Sequence, residues 1–126
     1  MVKTAGHLYS KEHQLNGEAL FFDFNEQASL VLAEAREAKV RRAGRTLVKE
    51  GPLRLTVIGF AAGGLLKDHK AGGPVSIEVL TGAIEIKVGD RTERLVEKQA
   101  LVLDANVTHS LLAAKEAVIL LSIAMP

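Results

Sequence analysis

The sequence predicts a mainly β domain, a sandwich or closed barrel, preceded by one amphipathic helix. Three observations carry this. From residue 45 onward, short apolar-rich runs recur about every eight to twelve residues, separated by Gly, Asp or Asn, which is the rhythm of antiparallel strands in a sandwich or barrel. Nothing in that half has the length and period of a crossover helix, which argues against a parallel α/β sheet. Residues 26–40, by contrast, are rich in the good helix formers Ala, Leu, Glu and Arg.

Residues 1–17 are polar without a clear period and read as an arm, with a short strand near 19–22. Asp23 and Glu26 have the spacing of a capping box, in which two side chains satisfy the first free amides of a helix. In the helix predicted over 26–40, Val31, Ala35 and Ala38 share one face with Leu30 beside it, and Glu34, Arg36, Glu37 and Lys39 fall elsewhere. Lys39, Arg41, Arg42 and Arg45 then cluster where they would complement the negative end of the helix dipole.

Strands are predicted over 46–48 and 53–60, joined by the turn Glu50-Gly51-Pro52. In the second, Leu53, Leu55 and Val57 oppose Arg54 and Thr56. Ala61-Ala62-Gly63-Gly64 breaks the pattern. Further strands follow over 75–80, 83–88, 91–95, 100–103, 108–112 and 117–123, with turns at Thr81-Gly82 and Gly89-Asp90. The chain thus divides into an arm and helix, 1–44, packed on a barrel, 45–126, as one structural domain.

Composition bounds the function. A chain of 126 residues buries about two-thirds of its unfolded surface and needs no staples. It has no cysteine, which removes disulfides, thiolate metal sites and a cysteine nucleophile, and fits a cytoplasmic protein. Sixteen basic against 15 acidic residues give a net charge of +1, and aromatics are 4% of the chain. Neither a basic field nor stacking platforms are present, so no nucleic-acid partner is expected. No apolar run reaches the length of a membrane span, and residues 1–10 lack the apolar core of a signal peptide, so no membrane partner is expected.

Four histidines are the main chemical candidates. His7 and His13 lie in the polar arm and read as solvated side chains. His69 and His109 lie beside predicted strand ends, where loops meet the mouth of a barrel and ligands tend to bind. Two imidazoles hold a transition metal only when a third ligand joins them, and Glu78, Glu85 and Asp68 are the candidates. They also titrate near neutral pH and suit acid–base work. Ser76 and Ser110 are each near a histidine in sequence, but no triad follows from that spacing.

Residues 63–123 resemble the cupin superfamily. Its first motif is a glycine, five residues, His-x-His, three or four residues, Glu, six residues and Gly; Gly63, His69 and Gly82 match it. Its second motif is a glycine, five residues, Pro-x-Gly, two residues, His, three residues and Asn; only His109 matches. Ala71 stands where the second histidine belongs and Val75 where the glutamate belongs. Lys98, Asp104, Asn106 and Ala113 replace the first glycine, proline, second glycine and asparagine of the second motif. Asn at 106 suits the left-handed turn that glycine serves.

The resemblance implies a double-stranded β-helix, a jelly-roll-like barrel of two packed sheets with one N-terminal α-helix, pairing as a homodimer. It implies a small-molecule pocket inside the barrel, lined by His69, Ile77, Glu78 and His109. A divalent transition metal (Fe, Mn, Ni or Zn) would rest on His69 and His109, two ligands where the superfamily has four. Glu78 turns inward if Pro74 introduces a bulge, and outward if its strand is regular. Two functions follow as expectations: a small-molecule-binding or sensory cupin without catalysis, or a metal-dependent oxygenase or isomerase using His69, His109 and a third ligand. A third reading, an interaction module, rests on the helix and the pairing face.

Overall fold

The computed structural model describes residues 2–4 and 13–126. His7 lies outside the described residues. The element order is β1 (Val2–Thr4), β2 (Ala19–Phe21), α1 (Phe24–Glu37), β3 (Arg42–Glu50), β4 (Leu53–Phe60), β5 (Leu65–His69), β6 (Val75–Thr81), β7 (Ala83–Val88), β8 (Arg91–Val96), β9 (Ala100–Leu103), β10 (His109–Leu112) and β11 (Ala117–Ala124). Apart from the small parallel pair β1–β2, the strands form two antiparallel sheets. One has the order β3-β4-β11-β6-β9, the other β5-β10-β7-β8. Neighbours in both are mostly not consecutive in the chain, which is the winding of a jelly-roll-like barrel. No helix among the described residues is long and apolar enough to cross a membrane.

Alternation drives the packing. Val75, Ile77 and Val79 of β6, Ile84 and Ile86 of β7, Leu111 of β10 and Ile119 of β11 point between the sheets and form the main core with Phe60. Each such side chain contributes about 1.5–3 kcal/mol by leaving water. A second cluster covers the outer face of the five-stranded sheet: Leu47, Val48, Val57 and Val118 pack against Ala28 and Val31 of α1. The helix lies close. A Cβ on Gly59 of β4 would stand 2.8 Å from the carbonyl carbon of Val31.

The helix begins as the sequence suggested: Asp23 caps it, with Oδ1 accepting the Asn25 amide at 2.9 Å. It ends at Glu37, earlier than predicted. Ala38 is already extended, and its amide closes on the Glu34 and Ala35 carbonyls. The basic residues therefore follow the helix rather than ride on it. Arg41, at φ 59°, turns the chain and donates to the Arg36 carbonyl at 2.8 Å, satisfying a carbonyl of the last turn. Arg42 already belongs to β3 and donates to the Leu65 carbonyl at 2.8 Å. Arg45 pairs with Glu34 at 2.8 Å, and Arg36 with Glu116 at 2.6 Å, tying the helix to β3 and to the turn before β11.

Strand β5 was not predicted. Its sequence, Leu-Leu-Lys-Asp-His, has no β-branched residue and breaks period two. The Gly63-Gly64 segment, read as a simple break, is what launches it. Gly63 N–H donates to the Ala113 carbonyl at 2.7 Å, and Ala113 N–H to the Gly64 carbonyl at 3.0 Å. Gly82, at φ 77°, switches the chain from one sheet to the other, and a Cβ there would collide with the Glu116 carbonyl.

Candidate functional site

The two histidines singled out from sequence meet across β5 and β10. His69 and His109 are direct cross-strand partners, with ring centroids 5.5 Å apart and planes at 82°. A bulge makes this possible. Leu66 pairs with Leu111 and His69 with His109, so Lys67 and Asp68 together oppose Ser110 alone. Asp68 is the extra residue, held at φ 50°, and its amide donates to Ser110 Oγ at 3.0 Å. Without that extra residue's worth of kink, a spacing of three would put Leu66 and His69 on opposite faces.

The rings are not equivalent. His109 is only 3% exposed, and its Nδ1 lies 2.9 Å from the Val107 carbonyl. A carbonyl only accepts, so Nδ1 carries the proton, and in the neutral ring the Nε2 lone pair is left available. His69 is half-buried, and its buried Nδ1 has no hydrogen-bond partner among the described residues. Its pKa is held below the ordinary value by burial first, then by the charges of His109 and Arg42. The pair offers one ring whose Nδ1 is committed to a backbone carbonyl and a second ring with an unmatched nitrogen.

The remaining predicted site residues are elsewhere. Ile77 is inside the packed core and fully buried. Glu78 lies on the opposite face of β6, because the strand alternates regularly from Val75 to Val79 and Pro74 causes no bulge. It stands between Leu120 and Ala100 on the outer face of the five-stranded sheet. Of the two directions that the sequence left open for Glu78, the outward one holds. Glu85 faces outward from β7, and Asp68 is exposed at the bulge. Glu78, Glu85 and Asp68 therefore supply no third ligand. Among the described residues no three His, Asp or Glu side chains come together as a metal site. At the two positions where the cupin motif would place ligands the side chains are apolar: Val75 is in the core and Ala71 packs against it. This donor set does not fit a resident metal of the three-ligand kind.

Two positions that the resemblance aligns with glycines of the second motif carry other residues. Lys98, at φ 68°, and Asn106, at φ 63°, adopt the left-handed backbone at the two positions where the motif has glycine. Asn106 N–H also donates to the Ala71 carbonyl at 2.8 Å, tying one motif's loop to the other's.

Three clefts open on the outer faces of the sheets. One of about 500 Å³ runs along the outer rim of the four-stranded sheet, lined by Lys67, Lys87, Thr108, Ser110 and, at its inner wall, His109. A second, of about 420 Å³, lies lower on the same sheet beside Glu85, Arg94, Lys115 and Glu116. A third, of about 250 Å³, is apolar and lies beside Leu53, Pro74 and Val102. Neither His69 nor Ile77 lines any of the three.

No family model matches the sequence, and no curated protein matches it. Solved structures do match the fold. A conserved protein of unknown function from Streptococcus pyogenes is 29% identical, with a TM-score of 0.64 over 71% of this chain and 78% of that one. A cupin superfamily protein from Desulfitobacterium hafniense is 20% identical, with a TM-score of 0.68 over 79% of this chain and 87% of that one. A cupin-2 domain-containing protein from Shewanella frigidimarina is 16% identical, with a TM-score of 0.64 over 81% and 92% of the respective chains.

Proposed function

We propose that this chain, which has the fold of the cupin superfamily, binds a small polar molecule at its barrel mouth, with His69 and His109 as the polar anchors. The observation that supports this is the cross-strand imidazole pair, set 5.5 Å apart edge to face. His109 Nε2 is ready to accept a hydrogen bond because Nδ1 is committed to Val107. The buried Nδ1 of His69 lacks a partner, and a buried polar atom left unmatched costs about 1–3 kcal/mol that a ligand group would recover. A hydroxyl-bearing ligand suits both needs, donating to His109 and sharing a hydrogen bond with His69.

The test is long-range proton–nitrogen NMR of the histidine rings during titration with a panel of small hydroxylated compounds. The expected result is saturable movement of the His69 and His109 ring nitrogens together, lost in His69→Ala and His109→Ala. Rings that stay still while another region of the chain responds would sink the reading. Stoichiometric retention of iron, manganese, nickel or zinc, with both rings shifted and turnover dependent on that metal, would replace it with the metal-dependent enzyme. Sedimentation at micromolar concentration tests the homodimer that the fold's resemblance implies.

A further inference from the structure

We propose a second binding site, outside the barrel, for the oxyanion head of a small organic molecule: the rim cleft between Lys67 and Lys87. It does not depend on the reading of the histidine pair. Lys87 is the direct cross-strand partner of Ser110, and Lys67 lies on the other side of Ser110, on β5. The two ammoniums thus flank one hydroxyl across three adjacent strands. Ser110 Oγ accepts from the Asp68 amide, so its own proton is free to donate into the cleft. Thr108 adds a second hydroxyl.

The charge balance points the same way. Asp68 is the one carboxylate lining this cleft, against two lysines, and among the described residues neither lysine has an ion-pair partner. In the neighbouring cleft Glu85 and Glu116 balance Arg94 and Lys115, and the third cleft carries no charged side chain. A volume of about 500 Å³ admits an organic ion larger than phosphate itself.

Amide NMR titrations with inorganic phosphate and, separately, with succinate test this, at ionic strength held constant with chloride. Saturable shifts are expected first at residues 67, 68, 87, 89, 108 and 110. Saturation by phosphate alone assigns a phosphate head, and by succinate alone a carboxylate head. Lys67→Ala with Lys87→Ala should weaken binding about tenfold, because each exposed charge contact accounts for a few-fold. Lys115→Ala, with its cation in the neighbouring cleft, should change it less than about twofold. All three lysines are exposed, so the variants keep the fold. Shifts that never saturate, that spread evenly over all lysines, or that survive the double substitution overturn the site.

Discussion

Deleting Asp68 should leave His69 facing His109. The intuitive expectation is the opposite, because removing a residue from a strand normally turns every following side chain to the other face. Here β5 spends two residues, Lys67 and Asp68, on the one position opposite Ser110. Without Asp68 the ladder becomes regular: Leu66 opposite Leu111, Lys67 opposite Ser110, His69 opposite His109. Two terms decide the stability. Removing a non-glycine residue at φ 50° relieves about 1 kcal/mol of left-handed strain, since Asp tolerates that region better than most. Losing the exposed amide bond to Ser110 costs about 0.5–1.5 kcal/mol. The balance lies within about 1 kcal/mol, or about 5 °C in Tm for a chain of this size. Asp68→Val keeps the chain length but forces a β-branched side chain into the left-handed region, at about 1–3 kcal/mol. It therefore favours a register without the bulge, in which His69 turns out of the barrel. Proton–proton contacts between the two rings report the outcome. Their loss in the deletion variant, or their persistence in Asp68→Val at unchanged stability, would refute the bulge as the device that aims His69.

The other predictions concern the frame around this pair. Gly59→Ala should destabilise by about 1–3 kcal/mol in urea unfolding, because the new methyl meets helix backbone at 2.8–2.9 Å that no rotamer change can clear. Gly44→Ala, whose methyl finds its nearest neighbours at 3.6 Å, should be neutral or stabilising by up to about 1 kcal/mol through the unfolded state; equal effects at the two glycines would disprove the close helix approach. His69 has a folded pKa below its ordinary 6.5, so the unfolded chain takes up a proton that the folded one resists. Stability should therefore fall as pH drops from about 6.5 towards that lower value and level off beneath it, and His69→Gln should flatten this contribution; a slope of the opposite sign in urea midpoints refutes it. Asp23→Ala should cost about 1 kcal/mol and fray α1, read as faster amide exchange at Asn25 than at Ala35.

Much of the fold was legible because burial imposes period two. The strands at 75, 83 and 117 alternate against a packed interior, and the N-cap at Asp23 is a local hydrogen-bond pattern that sequence spacing reveals. What was not legible depends on partners far along the chain. Strand β5 is recruited by Ala113, and its alternation is broken by a bulge whose other half is Ser110. The start of β3 at Arg42 was hidden because Ala43 and Gly44 have low strand propensity, and its ladder to β4 supplies what they lack. Of the site, His69 and His109 were readable from their motif spacing, but their direct pairing was not. The direction of Glu78 was undecided because it hung on whether Pro74 bends β6. The lysine-flanked cleft had no signal in sequence, since Lys67 and Lys87 meet only through β10.

The fold around the two histidines holds them as a pair. Four things aim the two rings, and none of them is a metal: the β5–β10 register, the Asp68 bulge, the Val107 carbonyl on His109 and the Asn106–Ala71 tie between loops. Asn106 suits its left-handed turn by local preference, whereas Lys98, at φ 68°, has no such preference and is held there by the surrounding ladder. Val75 belongs to the core and Ala71 packs against it. A glutamate at position 75 would bury a carboxylate at a site now 3% exposed, so the apolar residue there stabilises the barrel. The register presents two imidazoles together, and among the described residues no third donor joins them, which supports the proposed hydrogen-bonding role of the pair.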